Sequence, residues 1–296
     1  MASAPKVLVA LDFGDASLEA LRQARELAHR TGGILAACHV LPAEYDLSLL
    51  FPGRVPDASA DSAAEDDQAR RALEAHAREK LGLELSEIFI ERGSAYAQIV
   101  RRAEAWGATF VVAGSHNRTG ISRVLLGSVA ERVARHAHSS VLVARPSPTR
   151  GIVVAATDLS DPSLPAIAAG AEAARRADAQ LVVVSALEWL NAMPEPSAGL
   201  IGGMPVMPPP EMQAEVRSAL HITLEGALER AGATGSVQVL EGPVAPAIVD
   251  CANRLHASLI VVGSHGRTGL ARLALGSVAE QVIRTASCSV LAVRTA

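Results

Sequence analysis

The stretch Gly263-Ser-His-Gly-Arg-Thr-Gly-Leu-Ala-Arg-Leu-Ala-Leu-Gly-Ser277 organises the rest of this chain. It follows the apolar run 258–262 (SLIVV) and leads into residues 278–286, whose pattern predicts a helix. In this order, the loop lets backbone approach a ligand closely, and the helix start offers unpaired N–H groups and the positive end of a dipole. Ser277 falls at the N-cap or in the first turn, where its hydroxyl adds a further donor. The stretch therefore predicts an anion site at the end of a strand.

A second copy of this stretch lies earlier in the chain, at residues 114–128 (GSHNRTGISRVLLGS), again after an apolar run. Residues 114–145 and 263–294 align without a gap and are identical at 20 of 32 positions. A plain turn would not need the shared arginines and glutamates, which are Arg118/Arg267, Arg123/Arg272 and Glu131/Glu280. The chain therefore consists of two repeats, joined by the linker Pro146-Ser-Pro148.

The spacing Gly-x2-Gly-x9-Gly-Ser resembles the nucleotide-binding signature of the universal stress protein family. The second repeat carries the signature in full, as Gly263, Gly266, Gly276 and Ser277. The first repeat has Gly114, Gly127 and Ser128, but Asn117 stands in place of the second glycine. Because the resemblance covers nearly the whole chain, we identify a tandem universal stress protein on these motifs.

The fold follows from apolar runs of strand length that alternate with helical patterns in both repeats. Such alternation predicts a parallel sheet built from βαβ units. The resemblance implies α/β domains, Rossmann-like or flavodoxin-like, at residues 1–146 and 149–296. Each would contain a five-stranded parallel sheet of order 3-2-1-4-5 with helices on both faces. The patterns place one helix start near Gln68 and another at Pro162, with long connections at 42–67 and 188–211. The second connection is predicted as a solvated loop, although its Met and Pro residues also suit a lid or a partner surface.

An aspartate ends the first strand of each repeat, at Asp12 and Asp158. Ligands of open α/β sheets lie beyond the carboxyl ends of the strands, where the strand order reverses, so each aspartate would face the glycine loop. Two interpretations stay open: a cap for the following helix, or a contact with adenosine. The resemblance implies that ATP-binding members use the backbone around this aspartate and the end of strand two for adenine. Those second-strand positions are Val40 and Ala186.

The loops and helix starts supply the other predicted nucleotide-binding residues, Gly114, His116, Asn117, Arg118, Gly127, Ser128, Val129, Gly263, His265, Gly266, Arg267, Gly276, Ser277 and Val278. The arginines could instead form surface ion pairs, and the histidines favour ligand contact over acid–base chemistry. Other phosphate motifs are absent from the sequence, since no Gly-x4-Gly-Lys-Ser/Thr occurs and the lysines are Lys6 and Lys80. The predicted cofactor is ATP, with Mg²⁺ as an optional companion, and no catalytic or metal-binding residue is assigned.

The composition argues against nucleic acid and membrane as partners of this protein. A net charge of −4 without a basic block, and only 3% aromatic residues, argue against a nucleic-acid surface. No apolar run approaches the roughly 18 residues of a membrane span, and no leader pattern is evident, so a cytoplasmic protein is expected. Cys38, Cys251 and Cys288 lie in apolar segments and are predicted to be buried thiols.

Three functions remain open on the sequence alone. The first is a stress-response protein whose adenine nucleotide regulates a protein partner that the sequence does not identify. The alternatives are a slow ATPase or nucleotide-transferring enzyme, and a nucleotide-free interaction module. The resemblance also implies an intrachain pseudo-dimer, because single-domain relatives commonly dimerise through the last strand, here 140–144 and 289–293. Apolar edge strands invite such pairing, and further homodimerisation also stays open.

Overall fold

A computed structural model describes residues 4–43, 59–85, 87–115, 127–147, 151–188, 200–201, 204–205, 208–264 and 275–294. The chain divides into two compact units, and the main division falls between Arg145 and Pro146. Each unit contains one of the two repeats. The domain bounds 1–146 and 149–296 stay predictions.

The first unit alternates strands and helices throughout. Its elements are β1 (Lys6–Ala10), α1 (Asp15–Thr31), β2 (Ile34–Leu41), α2 (Ser59–Leu81), β3 (Glu87–Arg92), α3 (Ala95–Trp106), β4 (Phe110–Gly114), α4 (Ser128–His136) and β5 (Ser140–Ala144). Strand β1 pairs in parallel with β2 and β4, while β3 continues from β2 and β5 from β4. The order within this unit is therefore 3-2-1-4-5, as predicted.

The second unit repeats the pattern with one addition. Its elements are β6 (Ile152–Ala156), α5 (Pro165–Ala177), β7 (Gln180–Leu187), β8 (Leu200–Ile201), β9 (Met204–Pro205), α6 (Pro210–Arg230), β10 (Ser236–Glu241), α7 (Val244–Arg254), β11 (Leu259–Gly263), α8 (Ser277–Thr285) and β12 (Ser289–Val293). Strand β6 lies between β7 and β11, with β10 beyond β7 and β12 beyond β11. This order is again 3-2-1-4-5. The antiparallel pair β8–β9 was not predicted.

The continuous apolar runs form the central strands because both of their faces are covered. In β1, Val7, Leu8 and Val9 are fully buried. Helix α1 packs on β1 and β4 beside α2, whereas α3 packs on β2 and β3 beside α4. In the second unit α5 packs on β6 and β11, and α7 lies against α8. The α/β, Rossmann-like fold is thus confirmed, and no helix among the described residues is long and apolar enough to cross a membrane.

Two predicted helix starts were wrong. Helix α2 begins at Ser59, so the acidic residues 65–67 are helical and not part of a loop. Alanine and glutamate favour helix without any apolar periodicity, and acidic side chains suit the early turns of a helix. Helix α5 begins at Pro165 and not at Pro162. A turn precedes it, in which Ser163 Oγ donates to the carbonyl oxygen of Ser160 at 2.9 Å.

Candidate functional site

The chain leaves the first strand of both repeats in the same way. The backbone N–H of Leu11 and of Thr157 each donates to a carbonyl of the neighbouring second strand, at 3.0 Å in both cases. Asp12 and Asp158 come next, at the carboxyl ends of β1 and β6. The two predicted aspartates therefore occupy equivalent places, at the point where each sheet reverses its strand order.

Each aspartate holds a turn through its own carboxylate. Oδ1 accepts a hydrogen bond from the backbone N–H two residues later, at 3.0 Å in both repeats. The intervening residues, Phe13 and Leu159, have φ values of 65° and 63°. A left-handed conformation costs a residue with a side chain about 1–2 kcal/mol, so both repeats keep the same strained turn beside the aspartate.

The alternative role of these aspartates, as caps of the next helix, does not fit this geometry. The N-cap position of α1 is Gly14, whose own N–H donates to Asp12 Oδ1, so Asp12 bonds the N-cap residue and not the first-turn N–H groups. In the second repeat α5 begins only at Pro165, seven residues after Asp158. The helix-cap interpretation was therefore wrong, and the carboxylates shape the strand ends instead.

An open cleft lies at this end of the first unit. Four of the predicted residues line it together: Asp12, Val40, Gly114 and Val129. Sequence reasoning missed the other lining residues, among them Ala16 and Ser17 from α1, Cys38 from β2, and Ala95 and Ile99 from α3. Most of these are small or apolar, so the walls suit a flat apolar group while the polar atoms lie near Asp12 and Ser17.

Gly114 has a packing role that the sequence did not reveal. A Cβ at this position would lie 2.2 Å from the carbonyl oxygen of Ala16 and 2.9 Å from the nitrogen of Ser17. These are backbone atoms, which cannot turn away as a flexible side chain can. Only glycine lets the end of β4 approach the start of α1 this closely, and this approach forms one wall of the cleft.

Cys38 also lines the cleft. Burial, with a smaller effect of the Glu91 carboxylate, raises the pKa of Cys38 to about 12. The thiol is therefore neutral at physiological pH and is a wall, not a nucleophile. All three cysteines are buried and free, as predicted.

The glycine–serine pairs mark the starts of α4 and α8. Gly127 and Gly276 are the N-cap residues, with φ/ψ of −65°/138° and −64°/148°. Ser128 and Ser277 are the first helical residues, and both are exposed. Because a glycine N-cap has no side chain to bond the first-turn N–H groups, these helix starts suit an anion.

A buried serine follows the fourth strand in both repeats. Its N–H donates to the end of the last strand, at 3.1 Å for Ser115 and 2.9 Å for Ser264. In the second repeat the carbonyl of Ser264 also accepts the N–H of Gly276 at 2.7 Å, which ties the loop to the helix start. The hydroxyl of Ser115 is buried and has no hydrogen-bond partner among the residues that the structure describes. A buried polar group of this kind calls for a ligand or a water.

Other predicted residues are distributed as follows. Gly263 ends β11, Ala186 lies near the end of β7 and is half-buried, and Val278 is 36% exposed at the start of α8. The loop residues His116, Asn117, Arg118, His265, Gly266 and Arg267 lie outside the described residues. Within the part of the chain that is described, no group of three or more His, Cys, Asp and Glu side chains could hold a metal ion.

Comparison with known proteins decides the family. The model of the Universal stress protein family matches residues 4–145 and again residues 149–294. This chain belongs to the universal stress protein family. It contains two copies of the family domain in tandem, as the internal repeat predicted.

Individual relatives agree with this assignment. Universal stress protein MJ0531 of Methanocaldococcus jannaschii is 37% identical over 145 residues, which are 48% of this chain and 81% of that protein. Universal stress protein Mb2028c of Mycobacterium bovis is 31% identical over 63% of this chain, and the match spans 62% of that protein's own length. The crystal structure of PA1789 from Pseudomonas aeruginosa PAO1 has a TM-score of 0.66 at 21% identity, covering 99% of this chain and 93% of that one. At this identity the likeness concerns the fold alone.

Proposed function

We propose that this universal stress protein binds an adenine nucleotide, with ATP as the ligand, at the carboxyl end of the sheet in each repeat. The observation that carries the proposal is the cleft of the first unit. It brings Asp12, Val40, Gly114 and Val129 together from β1, β2, β4 and α4, at the point where the strand order reverses. All four are nucleotide-binding residues predicted from the sequence.

The cleft has the chemistry of a nucleotide site, with small and apolar walls and a few polar groups at one end. The apolar walls would hold adenine, and the carboxylate of Asp12 would accept hydrogen bonds from ribose. The phosphates would meet the first-turn N–H groups of α4, with the hydroxyls of Ser115 and Ser128 as further donors. Mg²⁺ needs few protein ligands, because it usually keeps several waters and binds through phosphates.

The regulatory effect would follow from binding. Nucleotide that binds only one arrangement of the protein stabilises that arrangement by about 2.7 kcal/mol at a concentration 100 times the Kd. A protein partner that recognises the same arrangement would then be recruited when nucleotide is present. This mechanism needs no hydrolysis of the nucleotide.

The first experiment is to purify the protein gently, denature it, and identify the released nucleotide by chromatography. Titration of the emptied protein with ATP then compares Gly276→Glu with the matched variant Gly276→Ala. The φ/ψ of Gly276 is open to any residue, so neither change strains the backbone. The glutamate should abolish binding at the second site through repulsion of phosphate, whereas the alanine should weaken it far less.

The outcomes separate the three functions. Nucleotide that remains bound, with no phosphate release above buffer, supports the proposed binding protein. Phosphate release well above buffer would favour the slow ATPase or transferase. If the purified protein contains no nucleotide and also fails to bind added ATP, ADP or AMP, the nucleotide-free interaction module would be the supported function.

A further inference from the structure

In both repeats the last residue of the third strand forms an ion pair with the preceding helix, and the two charges are exchanged between the repeats. In the first repeat Arg92, the last residue of β3, donates to Glu65 and Asp66 of α2 at 3.1 and 2.8 Å. In the second repeat Glu241, the last residue of β10, accepts from Nε of Arg217 of α6 at 2.7 Å. The same contact between strand and helix is thus made with the charges exchanged.

The positions are equivalent in the two helices as well. Asp66 lies seven residues before Leu73, the first buried residue among the described side chains of α2. Arg217 lies seven residues before Leu224, which is the first buried residue of α6. Seven residues are two helical turns, so each charged side chain lies on the face that reaches its strand.

The helix on the other face of the third strand also differs between repeats. Glu91 of β3 is 7% exposed, and it accepts hydrogen bonds from Arg101 and Arg102 of α3 at 3.2 and 2.6 Å. At the offset of 149 residues, the equivalent positions in β10 and α7 are Leu240, Asp250 and Cys251. Arg102 also lies over the ring of Phe89, 4.5 Å from its centroid, where the second repeat has Cys251 beside Gln238.

We infer that these contacts assign each helix to its own third strand while the chain folds. Two repeats with the same strand order offer every helix two similar docking sites, and misassembly of this kind is a characteristic failure of repeat proteins. Helix α2 on β10 would place Asp66 against Glu241, and α6 on β3 would place Arg217 against Arg92. Both wrong pairings oppose like charges.

The second face of the strand adds to this discrimination. Helix α7 on β3 would place Asp250 near the buried Glu91, which would lose both of its arginines. Helix α3 on β10 would place Arg102 against the buried Leu240, without a carboxylate. Partly exposed ion pairs contribute little to stability. They separate two docking sites more effectively, because the correct contact attracts and the wrong contact repels.

The decisive variant keeps the ion pair and removes the difference in polarity. In Arg217→Glu/Glu241→Arg the second repeat retains a bridge, but its polarity now matches that of the first. We expect an unchanged Tm, together with a yield of native protein on refolding from urea that falls by about twofold or more. The missing fraction should appear in size-exclusion chromatography as chain-exchanged oligomers, and it should grow with protein concentration.

A matched control exchanges the polarity of both repeats. It adds Arg92→Glu, Glu65→Arg and Asp66→Arg to the first two substitutions, so that the repeats again differ. The inference requires the refolding yield of this quintuple variant to return to that of the wild type. An undiminished yield in the double variant Arg217→Glu/Glu241→Arg would overturn the inference. A yield equally low in both variants would also overturn it, because the loss would then follow the substitutions and not the match of polarity.

Discussion

At the carboxyl ends of their first strands the two repeats form the same turn, whereas beside their third strands most of the side chains differ. The aspartate turns have the same 3.0 Å hydrogen bond and φ values of 65° and 63°. Beside the third strand, the buried carboxylate of Glu91 has two arginine partners, whereas the equivalent residue of the second repeat is Leu240. The backbone that forms the candidate site is thus kept, while the contacts that hold the scaffold are exchanged.

Where a contact differs between the repeats, both of its partners differ together. In the first unit His138 Nδ1 contacts the carboxylate of Glu104. At the offset of 149 residues, Ser287 Oγ donates to Asn253 Oδ1 at 2.6 Å. Replacing both partners keeps a contact, whereas replacing one leaves a group unsatisfied. The comparison therefore predicts that single substitutions are harmful where the pair is buried, as at Glu91, and that transplanted sets are tolerated.

The largest effect is expected where backbone meets backbone. Gly114→Ala would place a Cβ 2.2 Å from the carbonyl oxygen of Ala16, and overpacking of this kind costs about 3 kcal/mol. The control is Gly151→Ala, where the nearest atom would be 3.6 Å away and the free energy of unfolding should change by less than about 0.5 kcal/mol. Urea unfolding measures both. Equal losses in the two variants would mean that Gly114 does not pack as described.

The second prediction concerns the buried carboxylate. Arg101→Ala/Arg102→Ala leaves Glu91 at 7% exposure without its two partners. Loss of one partner of a buried pair costs about 3–5 kcal/mol, and we expect about 2 kcal/mol here because Arg101 is 69% and Arg102 33% exposed.

The matched variant transplants the set of the second repeat, as Glu91→Leu/Arg101→Asp/Arg102→Cys. It should lie within about 1 kcal/mol of the wild type in urea unfolding, because apolar residues often replace a buried ion pair without loss. If the transplant is less stable than the double alanine variant, the two sets are not interchangeable.

The strands were predictable from sequence because their apolar runs are covered on both faces. Runs such as 6–10 and 152–156 contain little else, and their alternation with helices left one parallel topology. The start of α2 was not predictable in this way, since its first turns are polar. Only their helix propensity, which is a weak signal, distinguishes them from a loop.

The site was predictable where a motif names the residue, and not where the residue only lines a wall. Asp12 and Val40 follow from the family resemblance. Ala95 and Ile99 belong to the apolar face of a helix, and a sequence cannot tell which of its core residues border a cleft. The pair Arg92–Asp66 spans 26 residues, so no local spacing indicates it. The expected edge-to-edge placement of the two repeats stays a prediction.

A third prediction compares the glycine loops through their one difference in the signature. Asn117 stands where the second repeat has Gly266. Asparagine enters left-handed conformations more readily than most residues but less readily than glycine, so the first site should bind ATP about fivefold more weakly. Calorimetric titration of Asn117→Gly should strengthen the first site, and Gly266→Asn should weaken the second. Unchanged affinities in both variants would show that this position does not affect ATP binding.

The smallest expected effect is a difference in acid sensitivity between α1 and α5. The hydrogen bond from Arg30 lowers the pKa of Glu26, and that from Arg175 lowers the pKa of the equivalent Glu172. Glu19 is found only in the first repeat: its burial opposes ionisation, but hydrogen bonds from Arg22 and Gln23 outweigh it and lower its pKa as well.

A carboxylate whose pKa is lowered by folding stabilises the protein above its unfolded pKa, which is 4.5 for these groups, and this stabilisation disappears as the pH falls through the folded pKa. Glu19→Gln should therefore reduce the free energy of unfolding by about 0.5 kcal/mol at pH 6, and the difference from the wild type should vanish near pH 3. Glu172→Gln should behave in the same way in the second repeat, with a smaller loss because its carboxylate is more exposed. Urea unfolding at the two pH values measures both. A loss that persists undiminished at pH 3 would show that Glu19 acts through packing and not through its charge.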